Sequence, residues 1–332
     1  MIAVKSNART ARILRQLVFV PKYYGPCAVD ILKLRAVKSN HTRGLLITAC
    51  GVLVISPDAL LSRLIRVDHW TIIFWRALFL SFGMWLVLGI TCPNRVWLQY
   101  RTLRGGALLK VVAYSLGTIS FVFAITHTSV ANTLIILSTT PLFAALVSRV
   151  LLGEKIEMRV LAAILLVAAG IAVIAYGSGG GDASRLGDLV ALLGAFFLAC
   201  GFSFVRRFPD ASTFAAISCS GLLTALLILP LAAPLSVSPA DMGYLMLMGI
   251  YMLPIGTALM FAGPRYIPAP EVGLLLLLES VLGPVWVWLA LGEAPGRYTL
   301  IGGALVLTTL AGNAAWVLKR NRSRPAHLAR RV

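Results

Sequence analysis

The sequence predicts an all-α integral membrane protein, with ten transmembrane helices arranged as two inverted five-helix repeats. Three observations predict it. The first is composition: 59% of the 332 residues are hydrophobic and 13% charged, with a mean hydropathy of +0.88, whereas a soluble domain carries about 25% charged residues. The second is run length. Windows of ~20 residues with at most one charge are long enough to cross a hydrocarbon core, and in lipid such runs must be helices, because every backbone polar group has to bond internally. The third is repetition. SVANTLIILSTTPLFAALVSRVLLGE (129–154) is echoed by PAPEVGLLLLLESVLGPVWVWLALGE (268–293), each with a polar interruption and each closing on Leu-Gly-Glu. Ahead of them, YSLGTISFVFA (114–124) is echoed by YMLPIGTALMFA (251–262).

The ten windows are 44–66, 70–90, 106–126, 129–152, 159–177, 188–208, 211–233, 242–262, 270–291 and 297–318. They divide the chain into a basic N-terminal tail (1–42), a first five-helix repeat (43–177), a glycine-rich linker (178–187), a second five-helix repeat (188–318) and a basic C-terminal tail (319–332). Because each repeat has an odd number of spans, the second enters the membrane in the opposite direction.

The net charge of +18 is unevenly spread. Residues 1–43 and 319–332 together hold half of the 30 Lys and Arg. With ten spans both tails lie on one side, together with Arg95, Arg101, Arg104, Lys155, Arg159, Arg206 and Arg207. The opposite loops hold only Arg63, Arg66, Arg185 and Arg297. This asymmetry is the positive-inside pattern, so both termini are expected in the cytoplasm and the protein in the cell (inner) membrane. The same distribution argues against a nucleic-acid partner. Residues 1–42 do not read as a secretory signal, since the apolar run Leu17–Val20 is too short and Lys22 interrupts it. Cys27, Cys50, Cys92, Cys200 and Cys219 form no CxxC pair and none falls in an external loop, so neither a disulfide framework nor a zinc site is indicated.

Taken in order, the first span carries Asp58 beside Ser56 and Pro57, and the second carries Arg76. Each lies nine residues from the connecting turn near Val67, about 13 Å along its helix. The two are therefore expected at matching depth, either paired with each other or sharing a substrate. A lone charge there would cost about 2.5–3.5 kcal/mol. The third span has a weakly polar face led by Tyr114. The fourth carries Asn132 and the Ser138-Thr139-Thr140-Pro141 break, where Pro141 removes a backbone donor and the freed carbonyls and hydroxyls could line a cavity or serve only a packing kink. The fifth span is uncharged and rich in Ala and Gly, a packing helix. SGGGDASRLGD (178–188) lacks the strand context and Lys of a phosphate loop and reads as an external connector. The sixth and seventh spans offer small residues for helix contact, and the eighth carries Tyr251. The ninth carries Glu279 near its middle, where a carboxylate must be neutral, paired or facing water, with a second break expected over Glu279, Ser280 and Pro284. Trp286 is an aromatic wall of a cavity or an interfacial anchor.

Intramembrane ionisable groups are functional candidates by default, and inverted repeats place a substrate site near the midplane between broken helices. The candidate substrate-binding or coupling residues are Asp58, Arg76, Tyr114, Asn132, Thr139, Thr140, Pro141, Tyr251, Glu279 and Trp286. For most of them a packing role is the competing reading.

These residues resemble EamA-type members of the drug/metabolite transporter superfamily. The resemblance rests on the ten-span duplication, the Arg of FWRALFL, the 129–154 segment with its Pro and terminal Leu-Gly-Glu, and its repeat at 269–293, and it covers about residues 44–318. It implies secondary transport, often export, of small metabolites through a cavity lined by both halves, and it carries family motif positions onto Arg76, Pro141, Glu154 and Glu293. Ser280 stands where Pro141 would align.

The expected function is therefore a secondary active transporter of small polar metabolites or drugs, working by alternating access with coupling to a proton or cation at Glu279. The alternative is a non-transporting membrane partner subunit or sensor. No enzyme activity is expected: HExxH and GxSxG are absent, and His41, His69, His127 and His327 are dispersed in sequence. No cofactor, metal or nucleotide site is expected. The partners are a small-molecule substrate and the lipid bilayer, and a homodimer is left open.

Overall fold

The computed structural model describes residues 41–93, 95–153, 158–177, 182–262, 266–267 and 269–322. The greater part of both basic tails, Cys27, Glu154, Lys155 and Arg265 lie outside these residues. The described chain is helical, and no strand occurs in it. Eight of its helical segments are long and apolar enough to cross a membrane, and two further apolar helices, Thr213–Ile228 and Leu275–Leu291, are shorter.

The first apolar segment is not one helix. α1 (His41–Ile55) stops at Ser56-Pro57, and α2 (Asp58–Leu64) restarts beyond them. The proline lacks the donor that would continue the helix, so the interruption lies one residue before Asp58. α3 (His69–Thr91) is started by Asp68, whose side chain accepts from Thr71 N. A short α4 (Val96–Arg101) leads to α5 (Leu108–His127). The fourth apolar segment is also divided, into α6 (Val130–Leu137) and α7 (Thr140–Leu152), with Pro141 in the first turn of α7, where its missing donor costs nothing. α8 (Met158–Gly177) completes the first half.

In the second half, α9 (Asp182–Arg207) is followed by α10 (Thr213–Ile228), capped by the Ser212 hydroxyl. α11 (Pro239–Met246) passes through a π-helical turn, Leu247–Met252, into α12 (Leu253–Ala262). α13 spans Ala269–Leu291 without interruption, and Pro284 lies inside it. The break expected over residues 279–284 is therefore corrected: a proline inside a long helix flanked by packed neighbours can be absorbed where the freed groups find other partners. α14 (Arg297–Arg322) ends the described chain.

The packing is symmetric under exchange of the halves. α5 lies along α9 and α1 along α12, two pairs that the exchange interconverts. α3 lies on α10, α6 on α13 and α8 on α14, pairs that it maps onto themselves. Glycine sets the closest of these approaches. A Cβ added at Gly170 would come within 2.9 Å of the Gly302 carbonyl oxygen, and one at Gly51 within 3.0 Å of the Gly256 carbonyl oxygen. Only residues without a side chain let the backbones of α8 and α14, and of α1 and α12, meet so closely, the usual device where lipid supplies no hydrophobic drive between helices. Large apolar side chains such as Leu165, Leu289 and Ile301 are exposed, forming a surface suited to lipid.

Candidate functional site

The site begins at the interruption between α1 and α2. Ser56 and Pro57 leave Asp58 as the first residue of α2, where the helix N-terminus favours a negative charge. Facing it from the long α3, Arg76 Nη2 donates to Asp58 Oδ2 at 2.8 Å, and Arg76 Nε donates to Oδ1 at 3.4 Å. Both side chains are about 95% buried. The guanidinium also lies over the Phe121 ring of α5, 5.1 Å from its centroid. Glu279, from α13, is partly buried and near enough for its charge to act on both Asp58 and Arg76. Among the described residues its carboxylate accepts no hydrogen bond. On the next turns of α13, the Trp286 indole N–H donates to the Ser56 hydroxyl at 2.9 Å, tying the ninth apolar segment to the break in the first. Ser280 donates to the Leu134 carbonyl of α6 at 3.2 Å, and Gly283 lets Leu134 approach.

The structure thus gathers Asp58 of α2, Arg76 of α3, and Glu279 and Trp286 of α13 into one cluster, the last two more than 200 residues from the others in sequence. Asp58 pairs with Arg76, and Glu279 lies near both without an ion pair to either among the described residues, so one negative charge is left without a counter-charge when both carboxylates are ionised. A charge even partly withdrawn from water is expensive, and a proton, a metal cation or a cationic group of a solute would balance it.

The other candidates lie elsewhere. Asn132 belongs to a network at one end of the bundle. Its Nδ2 donates to Asp188 Oδ1 at 3.2 Å, Thr128 donates to the same oxygen at 2.7 Å, and Thr299 donates to Asn132 Oδ1 at 2.7 Å. This ties α6, α9 and α14 together. The hydroxyls of Ser138, Thr139 and Thr140 donate to the carbonyls of Ile135, Ile136 and Leu137, each at 2.6 Å. The carbonyls freed by the break before Pro141 are therefore occupied by the residues that cause it, and Pro141 itself is exposed. Tyr114 is buried between α5 and α9, edge-on to Phe202 and against Gly201. Tyr251 is 58% exposed on the π-helical turn. That turn meets α3 next to the cluster, since a Cβ on Gly249 would lie 3.1 Å from the Arg76 carbonyl oxygen.

Several functional-looking residues escape a reading of the sequence alone. Lys110 is wholly buried, and its ammonium donates to the Phe208 and Ala211 carbonyls at 2.8 and 2.9 Å, anchoring the α9–α10 connection. Arg63 pairs with Glu293 at 3.4 Å and donates to the Thr128 carbonyl at 2.7 Å, which gives the second Leu-Gly-Glu a role in closing that end. His69 and His127, far apart in sequence, lie in contact with ring centroids 4.9 Å apart. Two carried a visible signal, Lys110 as a charge inside an apolar run and Asp188 as an acidic residue at the start of one. The described residues contain no group of three or more His, Cys, Asp or Glu able to hold a metal.

A model of the EamA-like transporter family matches the chain twice, over residues 42–176 and 185–314. One solved structure, described only as a crystal structure of a protein, is similar in fold. It is 19% identical, the match covers 85% of this chain and 99% of the other, and the TM-score is 0.56. No curated protein shows significant similarity to the chain.

Proposed function

The chain belongs to the EamA-like transporter family, and from that premise we propose that it is a secondary active transporter exporting small polar metabolites or drugs across the cell membrane. In this reading ten spans form two inverted five-helix repeats, with both termini cytoplasmic and access alternating by rocking of the halves. The observation that carries it is the buried Asp58–Arg76 pair at a broken helix, with the partly buried Glu279 beside it. A scaffold or partner subunit gains nothing from an uncompensated carboxylate placed there. A carrier gains a group whose charge is balanced differently when loaded and unloaded, and such a difference is what shifts a two-state equilibrium. Glu279 exchanges the coupling proton or cation. Asp58 holds Arg76, and Arg76 positions the solute against Phe121 and Trp286.

Counterflow into proteoliposomes tests this, with a panel of amino acids, organic acids, amines and nucleosides under an imposed proton gradient. Wild-type uptake that follows the gradient, and Glu279→Gln uptake that does not, is the expected result. A Glu279→Gln variant that keeps full gradient dependence would remove the coupling role from this residue.

A further inference from the structure

A second binding feature lies away from the charged cluster. α8 packs along α14 and touches α7 only lightly. Between α7, α8 and α9 runs a cavity of about 330 Å³, lined by residues that include Leu142 and Leu146 of α7, Ile164 and Ile171 of α8, and Leu192 of α9. Thr139 is the one polar residue of the lining, and its hydroxyl is already spent on the Ile136 carbonyl. Ala168 and Ala172, also of the lining, are exposed, so the cleft opens sideways from the bundle. An apolar cavity of this kind stays dry, and left empty it forfeits the dispersion contacts of its walls.

Charged residues follow the cleft along two of the helices that wall it. Leu142, Leu146 and Arg149 follow one another at helical spacing on one stripe of α7. Arg149 is exposed, and its guanidinium makes no hydrogen bond or ion pair among the described residues. Arg206, in the last turn of α9, reaches the neighbouring Ser148 hydroxyl at 3.3 Å. An apolar slot with two guanidinium groups beyond its lining, on the same helices, matches the two halves of one kind of molecule.

We propose that this cleft holds an acyl chain of an anionic phospholipid from the adjoining leaflet, with its phosphate on Arg149 and Arg206. Basic pockets between membrane helices are suited to such headgroups, and guanidinium is the better fork for phosphate oxygens. A zwitterionic lipid would fill the slot equally well but carries no net charge for the arginines. The lining excludes Asp58, Arg76 and Glu279, so this proposal and the transport reading stand or fall separately.

Native mass spectrometry of the full chain in mild detergent, with dioleoyl phosphatidylglycerol or dioleoyl phosphatidylcholine added, reads the site directly. Wild type should retain one phosphatidylglycerol in preference to phosphatidylcholine. Arg149→Gln, at an exposed position, should cut that preference about fivefold. Ala168→Leu should fill the cleft and remove retention of both lipids. Equal retention of the two lipids by wild type would overturn the proposal, as would an unchanged preference in Arg149→Gln. If Ala168→Leu does not fold, Arg149→Gln alone decides the matter.

Discussion

Arg76→Gln is the perturbation that most directly probes the charged cluster. The pair it breaks is 2.8 Å long and about 95% buried on both sides. At an effective dielectric of about 20, unit charges at that distance attract by about 6 kcal/mol, and removing one member of a buried pair costs about 3–5 kcal/mol. The substitution also leaves Asp58 and Glu279 facing each other as like charges, so the upper part of that range applies. Asp58→Asn is different, because Arg76 then keeps Glu279 as a counter-charge, and a clearly smaller loss is expected. In the double variant Asp58→Asn with Arg76→Gln the pair vanishes whole, leaving the single carboxylate that wild type already carries in excess, so most of the loss should be recovered. The assay is thermal unfolding of detergent-solubilised protein, followed by the fraction that remains monodisperse. Arg76→Gln should melt lower than wild type by on the order of 10 °C, with Asp58→Asn and the double variant between them. Equal losses in the two single variants, or a double variant worse than Arg76→Gln, would refute the claim that three charges share one balance.

Other expectations follow from the same contacts. Glu279→Gln removes the excess charge, so its melting temperature should equal or exceed that of wild type even as gradient-driven uptake is lost, which separates function from folding in paired melting and uptake assays. Gly170→Leu drives a side chain into the Gly302 carbonyl where α8 crosses α14, and should destabilise by about 1–3 kcal/mol, read as a lower melting temperature. Asn132→Ala and Asp188→Asn each leave buried partners unsatisfied, at about 1–3 kcal/mol each. Because they share one network the double variant should cost less than the sum of the two in a melting cycle. Asp68 titrates outside the spans. Burial pushes its carboxyl up, but the hydrogen bonds from the Thr71 side chain and backbone, with His69 nearby, outweigh it and hold the group below its usual 3.8. The stabilisation it gives α3 is therefore present above pH 3.8 and lost as pH falls through the depressed value. Asp68→Ala should remove about 1 kcal/mol at neutral pH and flatten the acid limb of a melting-against-pH curve.

Much of the candidate site was legible in the sequence, and the reason is cost. Asp58, Arg76 and Glu279 stand out because charges are rare in apolar runs, and turn counting puts Asp58 and Arg76 at one depth. What turn counting cannot give is rotation about each helix axis, so Glu279 and Trp286 could be placed at depth but not aimed at Ser56 and Asp58. Pro57 and Pro284 show the same limit. Both are prolines in apolar runs, yet the first divides its helix and the second does not.

Apolar run length, the scarcity of charge and the duplicated Leu-Gly-Glu segments by themselves determined that this is a helical membrane protein built from two related halves. These are properties of local composition, and lipid allows them only one backbone solution. Which helices touch, that the hydroxyls of Ser138, Thr139 and Thr140 are spent on their own turn, that Asn132 answers Asp188 and Thr299, and that Glu279 comes near the Asp58–Arg76 pair were decided only by the tertiary structure. Between helices the contacts depend on side-chain direction and on glycine-permitted approach, and neither is encoded within a single segment.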